Sequence, residues 1–238
     1  MRPALPSNVL PLAALLALAL TACDTPRSDD AATPTPPAAP AEAAPASATA
    51  TPEATTAAGD RIGADAVWQG RLDACRDATG PLDACVLAAM RASGATPAAI
   101  AVAERLAAEG NPGYIEGWRE TDGVGIASLV YPFRANTNTG LWLVGADGRA
   151  VDVDQDVLPK PVQARDDIRA FLDAHPDVMP FAPARADGSE PLADGGVRLV
   201  FATPMRSCHA CEDAGTLRVG YDFDAARHFT GQQVIDLR

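Results

Sequence analysis

Residues 114–131 have the sequence YIEGWRETDGVGIASLVY, and this stretch sets the fold class of the chain. In its two runs, 114–120 and 124–131, apolar residues recur with the two-residue period of a β-strand. Asp122-Gly123 lies between the runs and is a favoured pair for a tight hairpin turn. The stretch therefore predicts an antiparallel β-hairpin, which neighbouring elements must cover.

Helices are predicted before this hairpin. One runs over 64–78, with Trp68, Leu72 and Cys75 on one face, and Gly80-Pro81 ends it. The next begins near Leu82, and the two form a helical hairpin. A third helix has the capping residue Thr96, Pro97 at its first position, and an apolar face made of Ile100, Ala103, Leu106 and Ala107.

More strands are predicted after the hairpin. Segments 141–145 and 149–153 extend the first meander, and a short helix follows over 164–175. Residues 183–196 are expected to be a polar loop. A second antiparallel meander is predicted over 197–203, 216–223 and 229–237. The expected fold is therefore α+β, with antiparallel β meanders separated by a short helix, in a single domain over 61–238.

The charge balance excludes two classes of partner. The chain has 238 residues, with 31 Asp and Glu against 19 Lys and Arg, so its formal net charge is -12. Nucleic-acid-binding proteins carry clustered cations that neutralise phosphates, and we expect no nucleic acid here. Attachment to an anionic membrane surface through a basic patch is excluded for the same reason.

The N-terminus indicates export. Residues 9–20 (VLPLAALLALAL) form an apolar run too short for a membrane-spanning helix, which needs about 20 residues, but typical of a signal peptide. The run leads into Leu20-Thr21-Ala22-Cys23, which resembles the lipobox of bacterial lipoproteins. The resemblance implies a signal peptide over 1–22, cleavage between Ala22 and Cys23, and lipidation of Cys23. The alternative is an ordinary signal peptide in which the cysteine has no role.

The resemblance also bears on location. It implies a lipid-anchored protein of the cell envelope that faces the periplasm. In enterobacterial lipoproteins, aspartate after the lipidated cysteine is an inner-membrane retention signal, so Asp24 favours the inner membrane over the outer.

Residues 23–60 are predicted to be a disordered linker. Positions 24–60 hold 7 Pro, 7 Thr and 13 Ala and no Val, Ile, Leu, Met, Phe, Trp or Tyr. A segment with nothing apolar to bury cannot offset the entropy lost on ordering. It is expected to hold the domain away from the membrane.

Four cysteines remain after Cys23, and an exported chain favours disulfides. Cys75 lies five residues before Gly80 and Cys85 five residues after it, so a hairpin that turns there brings them together. This pairing leaves Cys208 with Cys211. The alternative is cross-pairing between the two halves of the domain.

Cys208-His209-Ala210-Cys211 has three interpretations. The favoured one is a disulfide that clamps a turn, because the residues from Thr216 onward alternate like a strand. A thiol–disulfide oxidoreductase would instead need a helix after the motif. Zinc would need His209 and a distant fourth ligand such as His228. Haem attachment is excluded because Glu212 stands where histidine is required.

Two further patterns are interpreted as structural. Asp152-x-Asp154-x-Asp156 resembles the start of a Ca²⁺ loop, but Val157 stands where that loop needs glycine and Gln163 where it needs glutamate. A strand with its acids facing outward is favoured. Three aromatic residues are expected to line one surface of the first sheet, where core packing is favoured over a ligand platform: Tyr131, Phe133 and Trp142.

The favoured function is a non-catalytic binding or scaffolding module for another periplasmic component. It rests on the anchor, the linker and the lack of a nucleophile or acid–base motif, and it implies no cofactor, no metal and no catalytic residue. The alternatives are an oxidoreductase that uses Cys208 and Cys211, and a periplasmic inhibitor of an envelope hydrolase.

Overall fold

A computed structural model describes residues 61–238 of the chain. The predicted signal peptide 1–22, the lipidation residue Cys23 and the linker 23–60 lie outside the described residues. Helices and antiparallel sheets are both present within 61–238, which confirms the α+β class. No helix in this part of the chain is long and apolar enough to span a bilayer.

Two α-helices, α1 (Leu82–Ala92) and α2 (Pro97–Ala108), begin where the sequence predicts. The Thr96 hydroxyl accepts a hydrogen bond from the Ala99 N–H at 3.0 Å, and Pro97 occupies the first helical position. This arrangement caps α2, because a helix N-terminus has N–H groups that lack partners within the helix.

The α-helix predicted over 64–78 is wrong, and with it the hairpin of two α-helices. This stretch holds only two short 3₁₀ helices, Ala64–Ala66 and Asp73–Cys75. Between them the Trp68 N–H donates to the Ile115 carbonyl at 2.8 Å, so the backbone bonds to the sheet edge and not to itself. The Trp68 indole also lies 2.1 Å from where a Cβ on Gly70 would be, so this extended conformation needs a glycine there.

A disulfide joins Cys75 to Cys85, with an S–S distance of 2.02 Å and a Cα–Cα distance of 5.8 Å. It is the pairing that the spacing around Gly80 favours. Cys75 comes from the second 3₁₀ helix and Cys85 from the first turn of α1. The disulfide therefore links the extended N-terminal stretch to the helical part of the domain.

The first sheet has four antiparallel strands in chain order: β1 (Tyr114–Thr121), β2 (Val124–Val130), β3 (Thr139–Val144) and β4 (Ala150–Asp152). The first two form the predicted hairpin. Asp122 and Gly123 have positive φ values of 53° and 81°, as the turn between twisted strands requires.

Two short helices lead to the second sheet: α3 (Lys160–Gln163) and α4 (Asp166–Ala174). The second sheet has five antiparallel strands: β5 (Met179–Pro180), β6 (Arg185–Pro191), β7 (Val197–Arg206), β8 (Gly215–Phe223) and β9 (Phe229–Leu237). The last three form the predicted meander, and both β5 and β6 pair with β7. The polar loop predicted over 183–196 is wrong, because it contains β6. All of the residues of β6 are exposed, so no alternating apolar pattern marks this strand.

The main core lies between the two sheets and includes Leu143, Phe201 and Tyr221. The opposite face of the first sheet packs against α2, in a cluster that contains Leu106 and Trp142. Because side chains alternate along a strand, β3 contributes Leu143 to one core and Trp142 to the other. The first sheet is therefore covered on both faces.

Candidate functional site

The Cys208–Cys211 disulfide lies in the loop that joins β7 to β8, with an S–S distance of 2.08 Å. β7 ends at Arg206 and β8 begins at Gly215, so a strand and not a helix follows the motif. Arg206 and Asp213 form an ion pair across the base of the loop. The loop therefore lacks the helix N-terminus that activates the first cysteine of thiol oxidoreductases, and its geometry favours a turn clamp.

This geometry makes a prediction for the double variant Cys208→Ser/Cys211→Ser. Its free energy of unfolding is expected to fall by at most about 2 kcal/mol, because so small a ring removes little entropy from the unfolded chain. The measurement is urea unfolding, together with disulfide reductase and isomerase assays of the wild-type protein. Turnover by the wild type that disappears in the double variant would contradict the clamp and favour the oxidoreductase.

The zinc alternative gains no support. Both thiols of the motif are held in the disulfide, and the His209 ring lies 6.0 Å from the Phe181 ring. His228, the distant ligand considered, lies 3.4 Å from the Asp224 carboxylate. Within 61–238, no three His, Cys, Asp or Glu side chains converge in a way that would hold a metal ion.

The three aspartates of Asp152-x-Asp154-x-Asp156 have different surroundings. Asp152 Oδ1 accepts a hydrogen bond from the Asp154 N–H at 2.8 Å, and Asp154 Oδ1 accepts one from the Ala184 N–H at 2.7 Å. Asp156 is exposed. The expectation of a strand with its acids facing outward is therefore wrong: Asp156 is exposed but lies beyond β4, which ends at Asp152, and the first two aspartates are half-buried.

These two half-buried aspartates line a groove, which we call the polar groove and define by six residues: Asn111, Tyr131, Arg134, Asp152, Asp154 and Gln155. The groove has two adjoining parts of about 290 and 420 Å³, which share four lining residues. The first part is also lined by Thr137, Thr139, Gly140 and Ala182, and the second part by Arg105, Glu109, Trp142 and Ala150. The larger volume is in the range of small-molecule sites, and the smaller is just below that range.

Tyr131 lines both parts of the groove and is only 8% exposed. Burial, followed by the negative charge of Asp152, raises the pKa of Tyr131 to about 12, so its hydroxyl stays protonated at neutral pH. Gly140 lies against the ring, where an added Cβ would be 3.0 Å from Cε2. Among residues 61–238 the hydroxyl makes no hydrogen bond, and its residue lines the groove.

Two arginines cover the aromatic rings of the groove. The Arg134 guanidinium carbon lies 3.8 Å from the Tyr131 ring centroid, and its Nη2 donates to Asn111 Oδ1 at 2.6 Å. Arg105 lies 5.2 Å from the Trp142 ring centroid. Cation–π attraction thus holds both guanidinium groups against the groove wall, and these ring faces are not free to stack on a ligand.

Burial also raises the pKa values of the two carboxylates that line the groove, Asp152 and Asp154. Desolvation raises the pKa of Asp154 to about 6, although the hydrogen bond from Ala184 opposes the shift and the charge of Asp152 adds to it. Desolvation raises the pKa of Asp152 as well. The Oδ2 atom of Asp154 is buried and has no hydrogen-bond partner among the described residues. Such an oxygen destabilises the fold, and perturbed carboxylates of this kind concentrate at functional sites.

Comparison with known proteins gives no match. The chain matches no protein-family model, no curated protein and no solved structure. Its function is therefore argued from the chemistry of its own residues.

The sequence singles out some of the groove residues but does not predict the groove. Tyr131 and Trp142 are buried, as the core interpretation expects, but Tyr131 also lines the groove. Phe133, the third aromatic residue of that set, is 45% exposed. Nothing in the sequence singles out Asn111 or Arg134, because neither belongs to a motif. The one available signal is the pair of aspartates at the end of β4, Asp152 and Asp154, whose spacing alone indicates a strand.

Proposed function

We propose that this protein is a lipid-anchored cell-envelope protein whose domain is a non-catalytic binding module, with the polar groove as its binding site. The anchor is the lipid on Cys23 that the lipobox resemblance implies, and the domain faces the periplasm. Asp24 favours the inner membrane. The partner belongs to the same compartment, and no nucleic acid takes part.

One observation carries the binding function: the groove is lined by charged side chains that form no ion pair within 61–238. Asp152, Asp154 and Arg134 all line its first part, and none of them pairs with an opposite charge among the described residues. A ligand with complementary charges gains charge-assisted hydrogen bonds to these groups.

A second candidate is the thiol–disulfide oxidoreductase. The observation in its favour is that Cys208 is exposed, so another thiol has access to the disulfide. The strand that follows the motif argues against it, since catalytic pairs of this type depend on a helix N-terminus. Binding at the groove is therefore the better-supported function.

The anchor is tested with Cys23→Ser. Wild-type protein is expected to incorporate a labelled fatty acid in growing cells, whereas the variant incorporates none and keeps its signal peptide, because the thiol is the acceptor of the lipid. The measurement is radiolabel on the immunoprecipitated protein, with Cys208→Ser as the matched control. Equal labelling of Cys23→Ser and wild type would contradict the lipoprotein assignment.

The binding function is tested in cells with a photo-crosslinking amino acid at Gln155, which lines both parts of the groove. We expect irradiation of the full-length protein to give a covalent adduct, seen as a shift on a gel for a macromolecule or by intact mass for a small molecule. The control position is Asp173, which is exposed on α4.

Two further observations decide the test. Adding Asp154→Asn to the Gln155 protein is expected to reduce the adduct, whereas Asp156→Asn leaves it unchanged. The absence of any adduct at Gln155, or an equal yield at Asp173, would contradict the assignment of the groove as a binding site.

A further inference from the structure

We infer that the polar groove binds a zwitterion, namely a free amino acid or a short peptide that carries an ammonium group at one end and a carboxylate at the other. This inference rests on the proposed function, because it names the ligand class of the same groove. Two arguments support the inference. Side chains of opposite charge line the same cavity, and other classes of ligand fit that cavity less well.

Asp152 and Asp154 form the end that takes the ammonium group. Each carboxylate uses Oδ1 to accept a backbone N–H, from Asp154 and from Ala184 respectively. Both residues line the first part of the groove, and neither carboxylate forms an ion pair with a cation of 61–238. An ammonium group supplies three donors and a positive charge, so it pairs with these carboxylates and relieves the repulsion between them.

Arg134 and the Tyr131 hydroxyl form the end that takes the carboxylate. Among the described residues, Arg134 donates one hydrogen bond, from Nη2 to Asn111. The other N–H groups of its planar guanidinium are left for a ligand. Its position over the Tyr131 ring brings the guanidinium close to the protonated hydroxyl. Both are donors, and both line the part of the groove that also contains Asp152 and Asp154.

Other ligand classes fit this cavity less well. A sugar binds by stacking on an aromatic face, but guanidinium groups at 3.8 and 5.2 Å cover Tyr131 and Trp142. A simple anion is repelled by the two aspartates, and a simple cation by Arg134 in the same cavity. Glu109 and Arg105 form an ion pair at 3.1 Å in the second part, so their charges balance. A ligand with both charges matches all of these groups.

The test uses isothermal titration calorimetry on the purified full-length protein with L-alanyl-L-alanine as the probe. Its N-acetylated analogue lacks the ammonium group, and its C-terminal amide lacks the carboxylate. We expect each analogue to bind about tenfold more weakly or worse, since each lacks one of the two charged groups that form charge-assisted hydrogen bonds. These comparisons use the unaltered protein, so they do not depend on any variant folding.

Variants then assign each end of the ligand to its residues. Asp154→Asn is expected to bind the N-acetylated analogue as tightly as it binds L-alanyl-L-alanine. Arg134→Gln is expected to bind the C-terminal amide as tightly as it binds L-alanyl-L-alanine. The matched controls are Asp156→Asn and Arg149→Gln, which make the same charge changes at exposed residues outside the groove. Both controls are expected to bind all three compounds as the wild type does.

The outcomes separate this inference from the proposed function. The inference of a zwitterionic ligand is overturned by any of three results: all three compounds bind equally, none of them binds, or N-acetylglucosamine binds in their place. In each of these cases an adduct at Gln155 that depends on Asp154 leaves the proposed function standing. If the adduct is absent as well, both are overturned.

Discussion

Replacing Cys75 and Cys85 together with serine is expected to lower the free energy of unfolding by about 3 kcal/mol, the largest effect that we predict. The two cysteines are 10 positions apart, and freeing a loop of that size returns this much conformational entropy to the unfolded chain. The measurement is urea unfolding monitored by tryptophan fluorescence, to which Trp68 contributes. Trp68 reports on the region because its indole N–H donates to Ser93 Oγ at 2.9 Å and its ring contacts Tyr114.

The matched control is the double variant Cys208→Ser/Cys211→Ser, whose disulfide closes a ring of only three positions. It is expected to lose less stability than the first variant, because the entropy gained by the unfolded chain grows with loop length. An equal loss in both variants, or a larger one in the control, would contradict the assignment of Cys75–Cys85 as the main covalent constraint of the domain.

Replacing Asp154 with asparagine is expected to change how stability depends on pH. The pKa of Asp154 is raised by burial to about 6 in the folded protein, above its ordinary value of 3.8. The folded state therefore holds this proton more tightly than the unfolded state does. The stability that this difference in proton affinity contributes is fully present below pH 3.8 and is lost as the pH rises through about 6.

The variant lacks this loss because its amide does not ionise. We expect the wild type to lose about 1–2 kcal/mol relative to the variant between pH 4 and pH 7, allowing for partial solvent screening. Urea unfolding of the two proteins across this range measures the difference, and Asp156→Asn, at an exposed residue, is the control. Parallel pH profiles for wild type and Asp154→Asn would show that the carboxylate is not desolvated.

The parts of the fold that the sequence predicts correctly depend on local signals. The β1–β2 hairpin follows from period-two alternation around Asp122-Gly123, and α2 follows from a capping threonine and a first-turn proline. The stretch 64–78 has a helical pattern, but the hydrogen bond from Trp68 to Ile115 determines its backbone. That bond joins residues 47 positions apart, and the stretch itself does not encode it.

The groove depends even more on distant residues. Asn111 follows α2, Tyr131 follows β2, and Asp152 ends β4, so three separate segments must fold before the cavity exists. The half-burial of Asp154 is likewise a tertiary effect, because Ala184, its backbone partner, lies 30 positions further along the chain. Sequence spacing shows the aspartates but not their surroundings, which explains why the strand interpretation is favoured at that level.

Amide chemical-shift mapping tests most directly the central claim, that the polar groove is the binding site of a zwitterion. Uniformly labelled protein is titrated with L-alanyl-L-alanine, and the largest shifts are expected at Tyr131, Gly140, Asp152 and Asp154, which line the first part of the groove. The same titration of Asp154→Asn is expected to give much smaller shifts. Shifts centred on the Cys208–Cys211 loop, or no shifts at all, would contradict the account.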